Sequence, residues 1–432
     1  MRRHVVSLGL LVVSISIHAT PVAGAPAKET SRLGRAIDAY VAPLLAHDQL
    51  SGQLLVARHD TILAERNFGY ADWELRSPVT PETRFCIASV TKPMTGTLAI
   101  QLLATRTIAL TDTIGRWIPG FPKGDRITVS DLLRHRSGIP HELIPDSEAT
   151  RPMSAADMVE IARHRPLDFD PGIRSQYSSG GFTVLARILE LVTGRPYAQL
   201  LEDRIFGPLG MTHSTDHDSQ ALLPGRARAV VPGAHGLDNA PYEDFSHIVG
   251  AGSVWSTARD LHRFVQAIVS GALGPGPKYS YLRDGKLDFN GLAGGFVAWC
   301  EYDSVSGVEV IFAGNEQTGA PELLKSAIPE LVAGRSVPAP LLPEPRRGAP
   351  DPADLTAYVG TFRLDNGTRL VVRARDGVLW ANNWVMLPSA DGSFFSPRDY
   401  GTVRGVKGPD GRIERLDWEQ RGQVYPAPRV AD

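Results

Sequence analysis

The sequence predicts an α/β sandwich followed by a small antiparallel β domain. Strand-like runs lie on both sides of a mostly helical stretch that covers roughly residues 90 to 275. A proline-rich segment then precedes about 80 residues of short β-rich runs. Strands separated by so long a helical stretch can share a sheet only if that sheet is assembled from distant parts of the chain. We therefore expect one antiparallel sheet flanked by helices, a helical subdomain beside it, and a separate β domain at the end.

The amino-terminal part of the sandwich follows from the spacing of apolar residues. Helical spacing over Ser31–Leu50 predicts an amphipathic helix. Gln53–Arg58 and Thr61–Asn67 then predict two strands, joined at His59-Asp60. Periodicity in the middle of the chain predicts four helices, at Val129–Arg134, Ala155–His164, Phe182–Thr193 and Ala258–Ser270.

The carboxyl-terminal part of the sandwich repeats the pattern of strands followed by a helix. Strands are predicted at Phe296–Tyr302 and Val308–Ala313, and a helix at Ala320–Ala333. Val337–Pro352 contains six prolines and predicts a linker, since such a sequence forms neither a helix nor a central strand.

Beyond the linker, four turn dipeptides separate the short β-rich runs. An Asn or Asp followed by Gly between apolar runs favours a hairpin, so the segment predicts an antiparallel meander that closes into a small barrel or sandwich. The dipeptides are Asn366-Gly367, Asp376-Gly377, Asp391-Gly392 and Asp410-Gly411. The expected organisation is a signal peptide (1–25), a main domain (26–336), the linker (337–352) and the β domain (353–432).

The first 25 residues have the pattern of a secretory signal. Arg2 and Arg3 precede an apolar run over Val5–Ile17, and Ala23-Gly24-Ala25 offers a cleavage site between small residues. The apolar run is shorter than the roughly 20 residues that span a membrane. We therefore expect an exported protein, periplasmic or secreted, without stable membrane insertion after cleavage.

Composition bounds the partners and cofactors. The 432 residues are 43% hydrophobic and 21% charged, as in a globular protein. Loss of the signal leaves 43 basic and 47 acidic residues, a net charge of −4, so nucleic acid is not an expected partner. Cys86 and Cys300 could form one disulfide or remain buried thiols. They supply too few ligands for a metal site, and we expect no metal and no cofactor.

Ser89-Val90-Thr91-Lys92 is the most informative motif. Residues three apart on a helix are neighbours, so the Lys92 amine can reach the Ser89 oxygen and remove its proton. Ser89 is a natural helix N-cap, and Pro93 is tolerated only in a first helical turn. Of the seven lysines in the chain, Lys92 alone has a serine three residues before it.

A second segment, Asp170–Gly194, places Tyr177-Ser178-Ser179 in a loop before a long helix. With it the chain resembles the serine β-lactamase and penicillin-binding-protein superfamily, most closely the class C-like branch that includes peptidase S12 enzymes and family VIII carboxylesterases. The Ser-x-x-Lys motif of that superfamily pairs with Tyr-x-Asn or Tyr-x-Ser, matched here by Tyr177 and Ser179. Three flanking segments also resemble it, at Ile127–Pro140, Ile205–Met211 and Gly250–Leu261. The terminal meander resembles a lipocalin-like domain.

The resemblance implies a set of roles. Ser89 attacks a carbonyl and forms an acyl-enzyme, while Lys92 and Tyr177 accept and relay its proton, and the ammonium of Lys92 favours a phenolate at Tyr177. Ser179 completes the second motif. The backbone N–H groups of Ser89 and Leu292 form the oxyanion hole.

The third motif departs from the superfamily pattern. Members usually carry Lys-Thr-Gly or His-x-Gly on a strand that lines the active site. The best match here is Phe289-Asn290-Gly291, which lacks the positive or polar first residue. Since β-lactams and D-alanyl peptides carry a carboxylate, this degenerate motif makes a neutral ester or amide the better substrate.

The sequence suggests three possible functions. The first is an exported serine hydrolase, without cofactor, that acts on a small ester or amide. The second is a D-aminopeptidase, DD-peptidase or β-lactamase. The third is a catalytically silent binding protein of the same fold, which is suggested by Phe289 in place of the usual positive or polar residue. An α/β-hydrolase is excluded by the absence of Gly-x-Ser-x-Gly, and a metalloenzyme by the absence of His-Glu-x-x-His.

Overall fold

The structure is a computed structural model that describes residues 27–216, 221–348 and 350–431. The signal peptide predicted over residues 1–25 lies outside the described residues. Within the described residues, no helix combines the length and the apolar character needed to cross a membrane.

A five-stranded antiparallel sheet forms the centre of the main domain, in the order β10-β11-β12-β1-β2. Its central pairing joins the two ends of the domain, because Leu54 lies opposite Phe312. The predicted assembly from distant segments is therefore confirmed. The strands are β1 (Gly52–Arg58), β2 (Thr61–Phe68), β10 (Lys286–Ala293), β11 (Phe296–Asp303) and β12 (Val308–Gly314).

Both faces of this sheet are covered, which makes the domain a sandwich. Strand side chains alternate between faces, so Leu55 and Ala57 pack on the helical side of the sheet. Leu54 and Val56 face the opposite layer, with the apolar side chains of α1 (Ala27–Ala46) and α10 (Ala320–Val332). The first helix thus begins and ends four residues earlier than periodicity predicts.

The helical side of the sheet carries the subdomain that contains Ser89. Its helices are α2 (Thr91–Ala104), α3 (Val129–Leu133), α4 (Ala155–Arg163), α5 (Ser179–Thr193), α6 (Tyr197–Leu201), α7 (Gly207–Leu209), α8 (Ala258–Ser270) and α9 (Pro275–Tyr281). Short strands complete it: β3 (Tyr70–Asp72), β4 (Ser77–Pro78), β5 (Phe85–Cys86), β6 (Thr215–Asp216), β7 (Val230–Gly233), β8 (Gly236–Asn239) and β9 (Val254–Ser256).

The segment after α11 (Pro352–Tyr358) is a closed antiparallel barrel of eight strands in chain order. Closure is achieved by pairing of the first and last strands, where Thr361 lies opposite Val430. This confirms the antiparallel barrel-like architecture expected from the four hairpin dipeptides. The strands are β13 (Gly360–Arg363), β14 (Arg369–Arg375), β15 (Val378–Ala381), β16 (Trp384–Pro388), β17 (Phe394–Ser396), β18 (Gly401–Lys407), β19 (Ile413–Gln420) and β20 (Gln423–Val430).

The proline-rich segment lies against the barrel. Pro345 forms an isolated bridge with Ser389, and the Arg346 N–H donates to the Pro388 carbonyl over 3.0 Å.

The two cysteines, Cys86 and Cys300, are both buried free thiols. They do not form the disulfide that the sequence left open.

Candidate active site

Ser89 lies in a tight turn between strand β5 and helix α2. The turn is a 3-10 helix over Ala88–Val90, and α2 begins only at Thr91, so the prediction that Ser89 is the N-cap of a helix is wrong. Ala88 has φ 45°, a left-handed conformation that costs a non-glycine residue about 1–3 kcal/mol. This turn presents the Ser89 side chain to Lys92 instead of to the backbone of the helix.

Lys92 lies in the first turn of α2, and its amine has three oxygen neighbours. Its Nζ is 2.9 Å from Ser89 Oγ, 3.1 Å from Ser179 Oγ and 2.9 Å from the Ala251 carbonyl oxygen. The side chain is 5% exposed, and this burial lowers the pKa of Lys92 to about 7. The spacing of the motif therefore brings a buried, partly neutral amine to the serine hydroxyl.

Tyr177 closes the other side of the serine. Its hydroxyl is hydrogen bonded to the Ser89 side chain, and Lys92 Nζ lies 4.7 Å from the centre of its ring. Burial raises the pKa of Tyr177 above its ordinary value, and the hydrogen bond to Ser89 offsets this only in part. This geometry therefore does not favour a Tyr177 phenolate stabilised by a Lys92 ammonium, because the Lys92 amine itself loses its charge more readily.

Two histidines hold the loop that carries the second motif. His135 Nδ1 accepts the Ser178 N–H over 3.2 Å, and His141 Nδ1 accepts the Ser179 N–H over 3.1 Å. The His135 ring also packs on Tyr177, with ring centres 4.7 Å apart. Burial and the nearby Lys92 lower the pKa of His135 to about 4, so this imidazole is neutral and serves as an acceptor.

Helix α5 begins at Ser179, three residues earlier than apolar periodicity predicts, because Ser178 caps it. The Ser178 hydroxyl accepts the Gly181 N–H over 2.8 Å and donates to the Pro140 carbonyl over 3.1 Å. An N-cap of this kind satisfies a backbone donor at the start of a helix. It fixes Ser179, with its Oγ directed to Lys92, at the first position of the helix.

Strand β10 passes directly beside the serine turn. A side chain at Gly291 would overlap the Ile87 carbonyl oxygen and would lie 3.0 Å from the Ser89 backbone nitrogen. Only glycine allows this approach. Leu292, the next residue, lines the cavity next to Ser89, as an oxyanion hole built from the N–H groups of these two residues requires.

Phe289 and Asn290 point to opposite faces of β10. Phe289 is 9% exposed, and its ring packs edge-to-face on Tyr281 with centres 5.5 Å apart. Tyr281 in turn donates to the Pro93 carbonyl over 2.9 Å. Phe289 thus supports the start of helix α2, whereas Asn290 lines the cavity and accepts a hydrogen bond from Lys325.

The serine opens into a cavity of about 700 Å³ that the main domain and the barrel share. Its helix wall contains Ser89, Tyr177 and Ser179, and β10 forms an adjoining wall. The barrel contributes residues 398–400 and 420–421 to the lining. Within the described residues, no cluster of three or more His, Cys, Asp or Glu side chains is placed to hold a metal ion.

Sequence reasoning missed three contributors to this site. His141 follows directly after the flanking segment that ends at Pro140, and its role depends on the fold of that loop. The Ala251 carbonyl is a backbone group that no side-chain pattern identifies. The barrel residues lie more than 300 positions from Ser89, and only the packing of the two domains brings them to the cavity.

Comparison with known proteins agrees with this fold. Residues 37–295 match the Beta-lactamase family. The chain is 30% identical over 225 residues to a putative penicillin-binding protein, PbpX, of Bacillus subtilis, covering 52% of this chain and 56% of that protein. It is 28% identical over 232 residues to a teichoic acid D-alanine hydrolase of Staphylococcus aureus, covering 54% and 56%. The matched region thus spans about half the length of these curated relatives.

Solved structures share the fold. A D-amino acid amidase from Ochrobactrum anthropi SV3, complexed with L-phenylalanine amide, superposes with a TM-score of 0.62 at 22% identity, over 70% of this chain and 98% of that one. An octameric penicillin-binding protein homologue from Pyrococcus abyssi gives 0.61 at 18% identity, over 93% of this chain and 96% of that one. Since the family match covers more than half of the sequence, the chain belongs to the Beta-lactamase family.

Proposed function

We propose that this protein is a serine hydrolase that cleaves a neutral ester or amide through an acyl-enzyme on Ser89. The observation that carries the proposal is the buried Lys92 amine, 2.9 Å from Ser89 Oγ, with its pKa lowered to about 7. A base with a pKa near the working pH is the most effective kind of proton acceptor.

The hydrogen-bond pattern around Lys92 suits a neutral amine. Such an amine has two hydrogens and one lone pair. The hydrogens can be donated to the Ala251 carbonyl and to Ser179 Oγ, at 2.9 and 3.1 Å, which leaves the lone pair for the Ser89 hydroxyl hydrogen. As Ser89 Oγ attacks the substrate carbonyl carbon, its proton passes to Lys92 Nζ.

The N–H groups of Ser89 and Leu292 then donate hydrogen bonds to the carbonyl oxygen as negative charge develops on it. A backbone donor of this kind contributes a few kcal/mol of transition-state stabilisation. Tyr177, whose pKa is raised, remains protonated and donates its hydroxyl proton to the departing oxygen or nitrogen, regaining a proton from Lys92. The C–O or C–N bond breaks and the acyl-enzyme remains.

Deacylation uses the same groups in reverse. A water molecule gives a proton to the neutral Lys92 amine as its oxygen attacks the acyl carbon, and Ser89 Oγ departs by taking a proton back from Lys92. The product is a carboxylic acid, and the enzyme returns to its starting protonation state.

The substrate class follows from the third motif. Phe289 is packed against Tyr281 and supplies no charge for a carboxylate beside the scissile bond. One relative is named a teichoic acid D-alanine hydrolase, and one structural neighbour is a D-amino acid amidase. Esters rank first, therefore, with D-amino-acid amides or peptides second and β-lactams last. The signal-like amino terminus supports export to the periplasm or the medium.

A fluorophosphonate probe tests the nucleophile. It should label the wild-type protein and leave Ser89→Ala unlabelled, whereas equal labelling of both would overturn the assignment. A panel of neutral p-nitrophenyl esters, D-amino-acid p-nitroanilides and a chromogenic cephalosporin then ranks the substrates. Preference for the cephalosporin would contradict the conclusion drawn from Phe289.

Phe289 also favours a second candidate, a binding protein of the same fold without catalysis. The two candidates differ in turnover. Hydrolysis of short p-nitrophenyl esters that is lost in Lys92→Ala excludes the binding protein, and absence of turnover across the whole panel supports it.

A further inference from the structure

We propose that Arg398, on the barrel loop between β17 and β18, is a specificity-determining residue that binds an anionic group, a carboxylate or a phosphate, on a part of the substrate remote from the scissile bond. The proposal rests on the proposed hydrolase function and refines its substrate class: the ester or amide is neutral beside the scissile bond and carries its anion at a remote position.

The barrel forms part of the wall of the cavity. Arg398 and Arg421 line the same 700 Å³ space as Ser89. They come from two neighbouring barrel connections, the β17–β18 loop and the β19–β20 turn. Any substrate large enough to fill the cavity from Ser89 outward therefore meets the barrel as well as the main domain.

The loop that carries Arg398 is fixed against the main domain. The Pro397 carbonyl accepts the Gly319 N–H over 2.8 Å, at the start of α10. Gly319 has no room for a side chain, because an added Cβ would lie 3.0 Å from Asp399 Cα. Gln420 reinforces the loop by donating its side-chain N–H to the Asp399 carbonyl over 2.6 Å. The position of Arg398 is thus built into the interface, and binding need not order it first.

Arg398 is half-buried and has no carboxylate partner at ion-pair distance within the described part of the chain. Its guanidinium carbon lies 5.7 Å from the centre of the Trp384 ring. Burial lowers the pKa of Arg398, and the charge of Asp399 offsets this in part. A guanidinium remains charged at any physiological pH and presents paired donors that match the geometry of a carboxylate or phosphate.

Four carboxylates line the cavity. The two that belong to the barrel and to helix α10, Asp399 and Glu322, both have partners. Asp399 accepts the Trp418 indole N–H over 2.9 Å and the Gly401 N–H over 3.2 Å. Glu322 lies 3.9 Å from Lys325 Nζ. Arg398 is therefore the better-placed charge for a ligand. Superfamily members usually carry a positive or polar residue at the position of Phe289 on strand β10. In this protein Arg398 on the barrel supplies a cation to the same cavity.

The test compares ester substrates that differ in one remote charge. Phenyl butyrate is neutral, 4-carboxyphenyl butyrate and 4-(phosphonooxy)phenyl butyrate carry the anion on the leaving group, and monophenyl glutarate carries it on the acyl group. The full-length protein and Arg398→Gln are assayed with all four. Arg373→Gln is the matched control, because Arg373 is an exposed barrel arginine that is not part of the cavity.

We expect wild-type protein to have a lower KM for at least one anionic ester than for phenyl butyrate. Arg398→Gln should raise that KM about tenfold, the usual consequence of losing a charged hydrogen bond, with kcat changed less than twofold. The neutral ester and the control variant should show no change. The preferred ester identifies carboxylate or phosphate, and identifies the side of the scissile bond.

An equal effect of Arg398→Gln on neutral and anionic esters, or no effect on either, would overturn the proposal. Failure of the hydrolase proposal is distinguishable, since it would abolish turnover of phenyl butyrate as well. Binding is then measured by calorimetry with Ser89→Ala and Ser89→Ala/Arg398→Gln. Tighter binding of an anionic ester that depends on Arg398 supports the site without turnover, and equal binding by both variants refutes it.

Discussion

Two lysines near the cavity show how surroundings decide the role of an amine. Lys92, on the helix wall, is 5% exposed and lies among three uncharged oxygens. Lys325, on helix α10 behind strand β10, has Asp288, Glu301 and Glu322 at 3.6, 3.7 and 3.9 Å. A buried amine without carboxylates loses its proton easily, whereas neighbouring carboxylates favour the charged form. The first arrangement suits a base, and the second suits a structural ion pair.

The difference between the two lysines is sharpest when each is replaced. Lys92→Met removes the proton acceptor and should lower kcat for a p-nitrophenyl ester by about 10³-fold, within the range for loss of a general base. Lys325→Met should change kcat less than about threefold, since the Lys325 amine contacts Asn290, nearby carboxylates and the Trp299 ring rather than Ser89. Comparable losses in the two variants would show that the contrast between them is wrong.

Strand β10, which lies beside Lys325, contributes backbone groups to the site rather than charge. The substitution Gly291→Ala tests this. Gly291→Ala inserts a methyl group against the Ile87 carbonyl and should push β10 away from Ser89. We expect a loss of about 10²-fold in kcat, comparable to the removal of one oxyanion-hole donor.

Thermal unfolding provides the control for Gly291→Ala. A midpoint within a few degrees of wild type would assign the kinetic loss to displaced geometry. Unchanged kcat with unchanged stability would mean that strand β10 takes no part in the oxyanion hole.

Much of the helix wall could be predicted because its chemistry is local in sequence. Ser89 and Lys92 are three residues apart, and at that separation a single helical turn, 3-10 or α, brings the amine beside the hydroxyl. The hairpin dipeptides likewise specify the terminal barrel, since each turn depends on two adjacent residues. The N-cap at Ser89 was predicted wrongly, because the left-handed Ala88 inserts a 3-10 turn that no propensity indicates.

The barrel side of the cavity could not be predicted in the same way. The third motif on β10 was identified from the family resemblance, whereas Arg398 meets the main domain only after the sheet and the barrel have formed. The pKa of Lys92 also depends on burial by residues far along the chain, including Ala251, which accepts its hydrogen bond. Motifs therefore identify the reacting groups, whereas the specificity of the cavity depends on long-range packing.

Placing a carboxylate beside Lys92 should raise the pKa of its amine. Wild-type kcat/KM should rise with pH through about 7, as Lys92 loses its proton. Ser179→Asp introduces a negative charge at a position whose Oγ is 3.1 Å from Lys92 Nζ. This substitution should raise the midpoint of the pH profile of kcat/KM by about one pH unit or more and lower activity at pH 7 roughly tenfold.

Ser179→Asn is the matched control, because asparagine has the shape of aspartate without its charge. Its pH midpoint should remain near that of wild type, even if activity falls a few-fold. Equal midpoints for the aspartate and asparagine variants would mean that the proton on Lys92 does not govern the pH profile.

The last prediction concerns the free energy of unfolding, and the expected effect has a definite sign. The pKa of Lys92 is about 7 in the folded protein and about 10.5 when unfolded, so the unfolded chain holds its proton more strongly. As pH falls from about 10.5 to 7, the folded state loses stability relative to the unfolded state, and below about pH 7 the loss is constant. Lys92→Met removes this dependence.

Urea unfolding at pH 6 and pH 9 measures this pH dependence of the unfolding free energy. The change in unfolding free energy caused by Lys92→Met should be more favourable at pH 6 than at pH 9 by roughly 3 kcal/mol. The hydrogen bonds and packing that methionine loses contribute equally at both pH values, so they cancel in this difference. A difference near zero would mean that Lys92 keeps an ordinary pKa in the folded protein, and the amine could not then serve as the base near neutral pH.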